Sequence, residues 1–109
     1  MPPDEMTSDD RNAQGHNYSS DFGGALAMLR DGKKVARRGW NGKGMFLYLV
    51  PAASYPAQTD AAKQAFGDMV PYSEYIAMRT VQDVVVPWCA SQTCLLADDW
   101  HEVTAIEAV

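Results

Sequence analysis

The stretch Met45-Phe46-Leu47-Tyr48-Leu49-Val50 is an unbroken apolar run about the length of one β-strand. Runs without alternating polar positions are typical of strands that are covered on both faces. We therefore predict a central strand here, preceded by a turn over 39–44, where the Asn41-Gly42 pair is the strongest local turn signal. Before this turn, loose alternation over 34–38 predicts a partner strand.

Segments on both sides predict short helices and further strands. A helix is predicted over about 21–31. Ser20 or Asp21 can cap its start, Gly32 can end it, and its apolar stripe consists of Phe22, Ala25, Leu26 and Leu29. Later segments predict a helix over 60–67 with Ala61, Ala65 and Phe66 packed inward, strands over 75–79, 84–86 and 100–104, a turn at Gln82-Asp83, and a helix from a Ser91 cap to about residue 97. The class is α+β, a small antiparallel sheet of four to five strands with two or three short helices.

Composition predicts one folded domain over 21–109, preceded by a disordered arm over 1–20 that is rich in polar residues and has no periodicity. Three Trp, five Tyr and three Phe are many large rings for so small a core, so we expect some at a ligand pocket or subunit contact in a homo-oligomer. We expect no signal peptide and no membrane span. Two cysteines in 109 residues are too few for a disulfide scaffold and indicate a soluble protein in a reducing compartment.

Charge is distributed unevenly along the chain. The net charge is −5, which argues against a general grip on DNA or RNA. Residues 30–43 nevertheless hold six Lys or Arg side chains against Asp31 alone. This basic segment is either a solvated strand that resists edge-to-edge aggregation or a local site for a small phosphorylated ligand.

Groups that could support catalysis or hold a metal are scarce. Cys89 and Cys94 do not have a common zinc spacing, and we interpret them as small buried residues. Cys94 as a nucleophile with His101 as its base is the remaining catalytic alternative, although no third group is evident to orient the imidazole. The carboxylates of Asp98 and Asp99 are expected to point apart. We therefore predict a protein that is not an enzyme and has no metal or cofactor.

Two segments, 35–46 and 87–100, place tryptophans in or beside turns, where complete burial is difficult. An indole ring can stack on any nucleobase, and free amides at a helix start can hold a phosphate. The alternative is that Trp88 and Trp100 are core rings and that Trp40 packs against its own turn. The residues alone favour neither interpretation.

Four blocks carry a resemblance to a known family: 22–26 (FGGAL), 32–45 (GKKVARRGWNGKGM), 75–79 (YIAMR) and 87–100 (PWCASQTCLLADDW). In this order they closely resemble the Thoeris anti-defence two-like family of small phage proteins. Cys94 departs from the family, which usually carries an acidic residue there, and 51–73 varies in length. The resemblance implies a non-enzymatic sponge that sequesters cyclic ADP-ribose-type signals made by TIR-domain immune proteins. It also implies homotetramers of small α+β subunits with pockets where subunits meet, and, in some members, a separate pocket for cyclic di- or trinucleotides from CBASS.

On this resemblance we expect the ligand to contact a set of nine residues: Arg38, Trp40, Asn41, Met45, Trp88, Ser91, Gln92, Thr93 and Asp98. Trp40 would stack a base or cap the pocket, with Asn41 donating or accepting beside it, and Trp88 would form a second apolar wall. Arg38 would hold phosphate, with Arg37 as the alternative. Residues 91–93 would meet phosphate or ribose oxygens, and Asp98 would accept from hydroxyls or an exocyclic amine. The expected setting is the cytoplasm of the infected host. A phage structural or protein-interaction module and a signal-cleaving enzyme are the alternatives.

Overall fold

The computed structural model describes residues 17–40 and 44–104. Residues 1–16 of the predicted arm, the predicted ligand contact Asn41 with the rest of its Asn-Gly turn, and the last five residues lie outside this part of the chain. None of the described helices combines the length and hydropathy that a membrane crossing requires.

The described chain forms three helices and seven strands. In order they are α1 (Phe22–Arg30), β1 (Val35–Arg37), β2 (Phe46–Val50), β3 (Ala53–Pro56), α2 (Asp60–Phe66), β4 (Met69–Tyr72), β5 (Tyr75–Arg79), β6 (Val85–Pro87), α3 (Gln92–Leu95) and β7 (Trp100–Glu102). Five strands form an antiparallel sheet in the order β6-β5-β2-β1-β7, and β3 pairs with β4 in a separate hairpin. The predicted α+β class and the central position of the apolar run are confirmed.

Helix α1 forms where the sequence predicts it. The Asp21 carboxylate accepts a hydrogen bond from the Gly24 amide at 3.0 Å, and Gly32 follows the helix with φ +85°. Ala25 and Leu29 are fully buried on the stripe that faces the sheet, where they meet Leu47 and other core residues. The cap and the glycine therefore set the two ends of the helix, and burial of its apolar stripe holds it on the sheet.

Residues 17–20 pass close over the start of α1. A Cβ atom at Gly24 would lie 1.8 Å from the Ser19 carbonyl oxygen, so only glycine permits this approach. The Ser20 carbonyl accepts from the Trp100 amide at 3.0 Å, and the Tyr18 hydroxyl donates to the Asp31 carboxylate. This segment of the predicted arm is thus tied to both α1 and β7.

The β3–β4 hairpin was not predicted, because Pro56 and Pro71 are unfavourable in most strands and are tolerated here in a sheet of two edge strands. Together with α2 it makes the hairpin arm, residues 53–72. Helix α2 was predicted, but the expectation that Ala61, Ala65 and Phe66 pack inward is wrong, since all three are exposed. A two-stranded hairpin offers too little surface for a helix to bury a stripe against it.

Helix α1 covers only one face of the five-stranded sheet. Leu47 on that face is fully buried, whereas Phe46 and Tyr48 on the other face are half-buried, and no described helix packs against them. Register places Arg79 beside Phe46 and Ala77 beside Tyr48 on this second face, which we call the open face. Within the described residues β2 is therefore covered on one face, and the predicted cover of its second face is not seen there.

Candidate functional site: an indole cluster beside an arginine

Three tryptophans that are distant in sequence meet around α1. Trp100 is 2% exposed, and its ring centroid lies 5.6 Å from that of Trp40 and 6.0 Å from that of Trp88, both in edge-on geometry. Phe22 from α1 contacts Trp100 and Trp88 with centroids 5.4 Å and 5.9 Å away. We call these four rings the indole cluster. Trp100 is a core ring, as the alternative interpretation held, whereas Trp40 and Trp88 are half-buried.

The central ring is fixed by hydrogen bonding as well as by packing. The Trp100 indole N–H donates to the Cys94 carbonyl oxygen at 3.0 Å, which holds the short helix α3 against β7. Trp88 is placed by its own amide, which donates to the Ile76 carbonyl of β5 at 2.9 Å. Because both partners are backbone atoms of neighbouring elements, the relative positions of Trp88 and Trp100 follow from the fold.

An ion pair anchors the turn that carries Trp40. The Arg37 Nε atom lies 2.8 Å from Asp99 Oδ1, and Asp99 Oδ2 accepts from the Gly39 amide at 3.1 Å. The Arg37 hydrogen bond, aided by the Gly39 amide and opposed by partial burial, lowers the pKa of the Asp99 carboxyl. The same hydrogen bond raises the pKa of the Arg37 guanidinium. The Arg37–Asp99 clamp therefore joins β1 to the start of β7 and sets where the chain turns toward Trp40.

This clamp separates the two arginines that the sequence left as alternatives. Arg37 is engaged with Asp99, whereas Arg38 is exposed and has no ion-pair partner among the described residues. Arg38 borders a cavity of about 280 Å³ between residues 18–20 and β7, together with His101 and Glu102. Small-molecule pockets begin at about this volume. The sequence did not indicate this cavity, because Tyr18 and Ser20 on its wall fall in the predicted arm; the lone aromatic Tyr18 was the only signal there.

The remaining predicted contacts lie on the 87–100 segment or close to residues 41–43, which are outside the described part of the chain. Ser91 caps α3, its hydroxyl oxygen accepting from the Cys94 amide at 3.1 Å. Gln92 and Thr93 are exposed in the first turn, Asp98 is exposed after it, and Met45 is half-buried before β2. Helix α3 ends at Leu95, earlier than predicted. The structure therefore places Trp40 and Trp88 in one cluster. The polar candidates that follow Trp88 in the sequence are exposed, namely Ser91, Gln92, Thr93 and Asp98.

The cysteines differ from their prediction as small buried residues. Cys89 is exposed and Cys94 is half-buried. The Cys94 sulfur lies 3.7 Å from Arg37 Nη1. Partial burial opposes ionisation of this thiol, but hydrogen bonds from Ser91 and Arg37 outweigh it, so the pKa of Cys94 is lowered.

The alternative catalytic pair is not assembled. In β7, Trp100 faces the core beside Cys94, so the next residue, His101, points to the opposite face of the sheet. The His101 Nδ1 atom lies 3.1 Å from the backbone oxygen of Glu102. Within residues 17–40 and 44–104, no group of three or more metal-ligating side chains comes together.

Comparison with known proteins identifies the family. The Thoeris anti-defense 2-like domain matches residues 20–103, which include the indole cluster, the Arg37–Asp99 clamp and the hairpin arm. The chain belongs to the Thoeris anti-defense 2-like family. It is also 37% identical over 86 residues to Thoeris anti-defense 2 of Bacillus phage SP01, a match that covers 76% of this chain and 93% of that protein. The resemblance found in the sequence is confirmed, and membership supports a phage anti-defence role.

Proposed function

We propose that this Thoeris anti-defense 2-like protein binds cyclic nucleotide immune signals and sequesters them without cleaving them. The ligand class is a cyclic ADP-ribose isomer, such as glycocyclic ADP-ribose, made by TIR-domain Thoeris proteins. Family membership supports the anti-defence role. The observation that carries the ligand class is that Trp40 and Trp88 both pack on the buried Trp100 yet stay half-buried themselves.

Two partly open indole rings suit a ligand with a nucleobase. Stacking of a base on an aromatic ring contributes about 1–3 kcal/mol and tolerates any base. A nanomolar trap needs about −12 kcal/mol in total, so phosphate and ribose contacts must supply most of the rest. Rings that are already held by Trp100 and by the Arg37–Asp99 clamp lose little freedom when the ligand binds, which favours tight binding.

The polar candidates keep the roles expected from the sequence. Arg38 holds phosphate through its exposed guanidinium, the first turn of α3 meets phosphate or ribose oxygens, and Asp98 accepts from a hydroxyl or amine. Asn41 and Met45 complete the wall beside Trp40. We further propose that the protein assembles as a homotetramer whose pockets lie where subunits meet, and that cyclic di- or trinucleotides are further candidate ligands.

Single substitutions test the proposed site. A panel of cyclic ADP-ribose isomers and cyclic di- and trinucleotides is first screened by thermal shift, and the ligand that stabilises the protein most is then measured by calorimetry. Trp40→Ala and Trp88→Ala should each weaken binding by about 5- to 150-fold, the equivalent of one stacked base. Val81→Ala, on an exposed side chain between β5 and β6, is the apolar control.

A second pair of variants distinguishes a direct contact between Arg38 and phosphate from a general effect of positive charge on binding. Arg38→Gln should weaken binding at least tenfold, whereas Arg30→Gln, which removes an exposed arginine paired with Glu74, should leave it unchanged. If no nucleotide stabilises the protein, the interaction-module alternative is favoured instead. If the ligand is recovered cleaved and Cys94→Ala or His101→Ala abolishes the cleavage, the proposal of a non-enzymatic sponge is refuted.

A further inference from the structure

The open face of the five-stranded sheet is largely apolar, and no element of residues 17–40 and 44–104 packs on it. It carries Phe46, Tyr48 and Val85 around the small, fully buried Ala77, and Val85 is 52% exposed. Antiparallel sheets that leave one face to water alternate apolar with polar residues along each strand. Strand β2 does not alternate, so its sequence is that of a strand with both faces covered.

The hairpin arm is folded but has almost no hydrophobic core of its own. Val70 is its single buried residue. Its elements contact one another, and among the described elements none packs substantially against the five-stranded sheet. A lone hairpin is marginally stable in water, and one helix with no buried side chain adds little. The arm therefore needs a surface to lie on.

The exposed side chains of the arm are large and apolar. Tyr55, Phe66, Met69 and Tyr72 are 47%, 58%, 50% and 48% exposed. At roughly 200 Å² for each fully exposed large side chain, these four offer about 400 Å² of surface. Tyr75, Val85 and the half-buried rings of the open face offer somewhat less. If two copies each cover the other's open face, about 1,300 Å² is buried, within the range of stable protein interfaces.

Charge is complementary between the two surfaces. The end of the open face has a net positive charge: the Lys34 ammonium and the Arg79 guanidinium lie 5.1 Å and 5.7 Å from the Phe46 ring centroid, and because Arg79 Nε is paired with Asp83 Oδ1 at 2.8 Å, Lys34 supplies that net charge. The arm carries Asp60 and Asp68 against one cation, Lys63, and the Asp68 side chain is 89% exposed. An acidic arm on a basic-rimmed apolar face is favourable, whereas two open faces packed on each other would oppose like charges.

We propose that the hairpin arm of one copy docks on the open face of a second copy, in a reciprocal two-fold exchange. This inference rests on the self-association included in the proposed function and assigns the surfaces that perform it. Each chain supplies one uncovered face and one unsupported arm, so a pair of chains satisfies both. Phe46 of β2 and Val85 of β6 form the surface on which the arm lies, which we call the floor.

Sedimentation velocity on the full chain, without nucleotide, tests the exchange. Val85→Lys alters the floor and Tyr72→Lys alters the arm, and each should raise the dissociation constant of self-association at least tenfold. Ala27→Lys is the control, because Ala27 is exposed on α1 and belongs neither to these two surfaces nor to the candidate ligand contacts. Circular dichroism confirms that each variant is folded.

A cross-linking experiment identifies the contact itself. Isotope-labelled and unlabelled chains are mixed and treated with a carbodiimide, which joins amines to carboxylates in direct contact. Mixed-isotope peptides linking Lys34 to Asp60 or Asp68 are expected. A chain that stays monomeric at all concentrations, an assembly that Val85→Lys leaves intact, or links found only within one chain would overturn the exchange. Because no ligand is present, failure here is distinguishable from failure of nucleotide binding.

Discussion

Replacing Trp100 with phenylalanine should destabilise the protein far more than the same change at Trp40. Trp100 is 2% exposed, so loss of its second ring removes roughly 40 Å² of buried apolar contact, about 1 kcal/mol. The change also removes the donor to the Cys94 carbonyl, which keeps only a longer bond from the Ala97 amide at 3.4 Å, and loss of such a hydrogen bond costs about 0.5–1.5 kcal/mol. Together these give about 1.5–2.5 kcal/mol, a substantial part of the stability of a small domain.

Thermal unfolding at one fixed protein concentration measures this difference. For a domain of this size, a loss of about 1.5–2.5 kcal/mol lowers the midpoint by at least roughly 6 °C. Trp40→Phe retains a ring in a half-buried position, and no described residue accepts a hydrogen bond from its indole, so its midpoint should fall by much less. Equal midpoints for the two variants would refute the assignment of Trp100 as the structural ring and of Trp40 as an open one.

Three further predictions follow from the contacts of α1, the clamp and Tyr18. Gly24→Ala places a Cβ against the backbone before α1 and should lower stability, measured by urea unfolding, whereas Gly23→Ala, whose nearest non-neighbouring atom is 3.4 Å away, should be neutral or stabilising. The pKa of Asp99 is lowered from 3.8, so its ionised form stabilises the fold above pH 3.8, and this stabilisation is lost as the pH falls through the lowered pKa. The stabilities of wild type and Asp99→Asn should therefore differ at neutral pH and converge in acid, as measured by acid unfolding. The hydrogen bond to Asp31 raises the pKa of Tyr18 to about 12, so its contribution is full below pH 10 and lost as pH rises through 12; phenolate absorbance should show a late-titrating tyrosine that Tyr18→Phe removes.

The parts of the fold that the sequence predicted are those set by local signals. Asp21 and Gly32 mark the ends of α1, Ser91 caps α3, and Asp83 adopts φ +65° in the predicted turn. The central place of β2 followed from its uninterrupted apolar run. These features depend on a few neighbouring residues, which is why a single sequence reveals them.

What the sequence did not reveal depends on contacts between distant segments. The hairpin of β3 and β4 contains Pro56 and Pro71, which local rules place outside strands, and its pairing became visible only in the structure. The sequence also could not show which of Arg37 and Arg38 is free to contact a ligand, because Arg37 is engaged by Asp99, which lies 62 positions away in the chain. The separation of Trp100 as a core ring from two half-buried indoles also required the assembled cluster.

In the proposed function the protein captures a cyclic nucleotide and returns it unchanged. Excess protein is incubated with a cyclic ADP-ribose isomer, unbound ligand is removed by filtration, the protein is denatured by heat, and the released material is analysed by chromatography and mass spectrometry. The ligand is expected to be retained before heating and recovered intact afterwards. Ligand that passes freely through the filter, or a hydrolysed product in the released fraction, would contradict the proposed function.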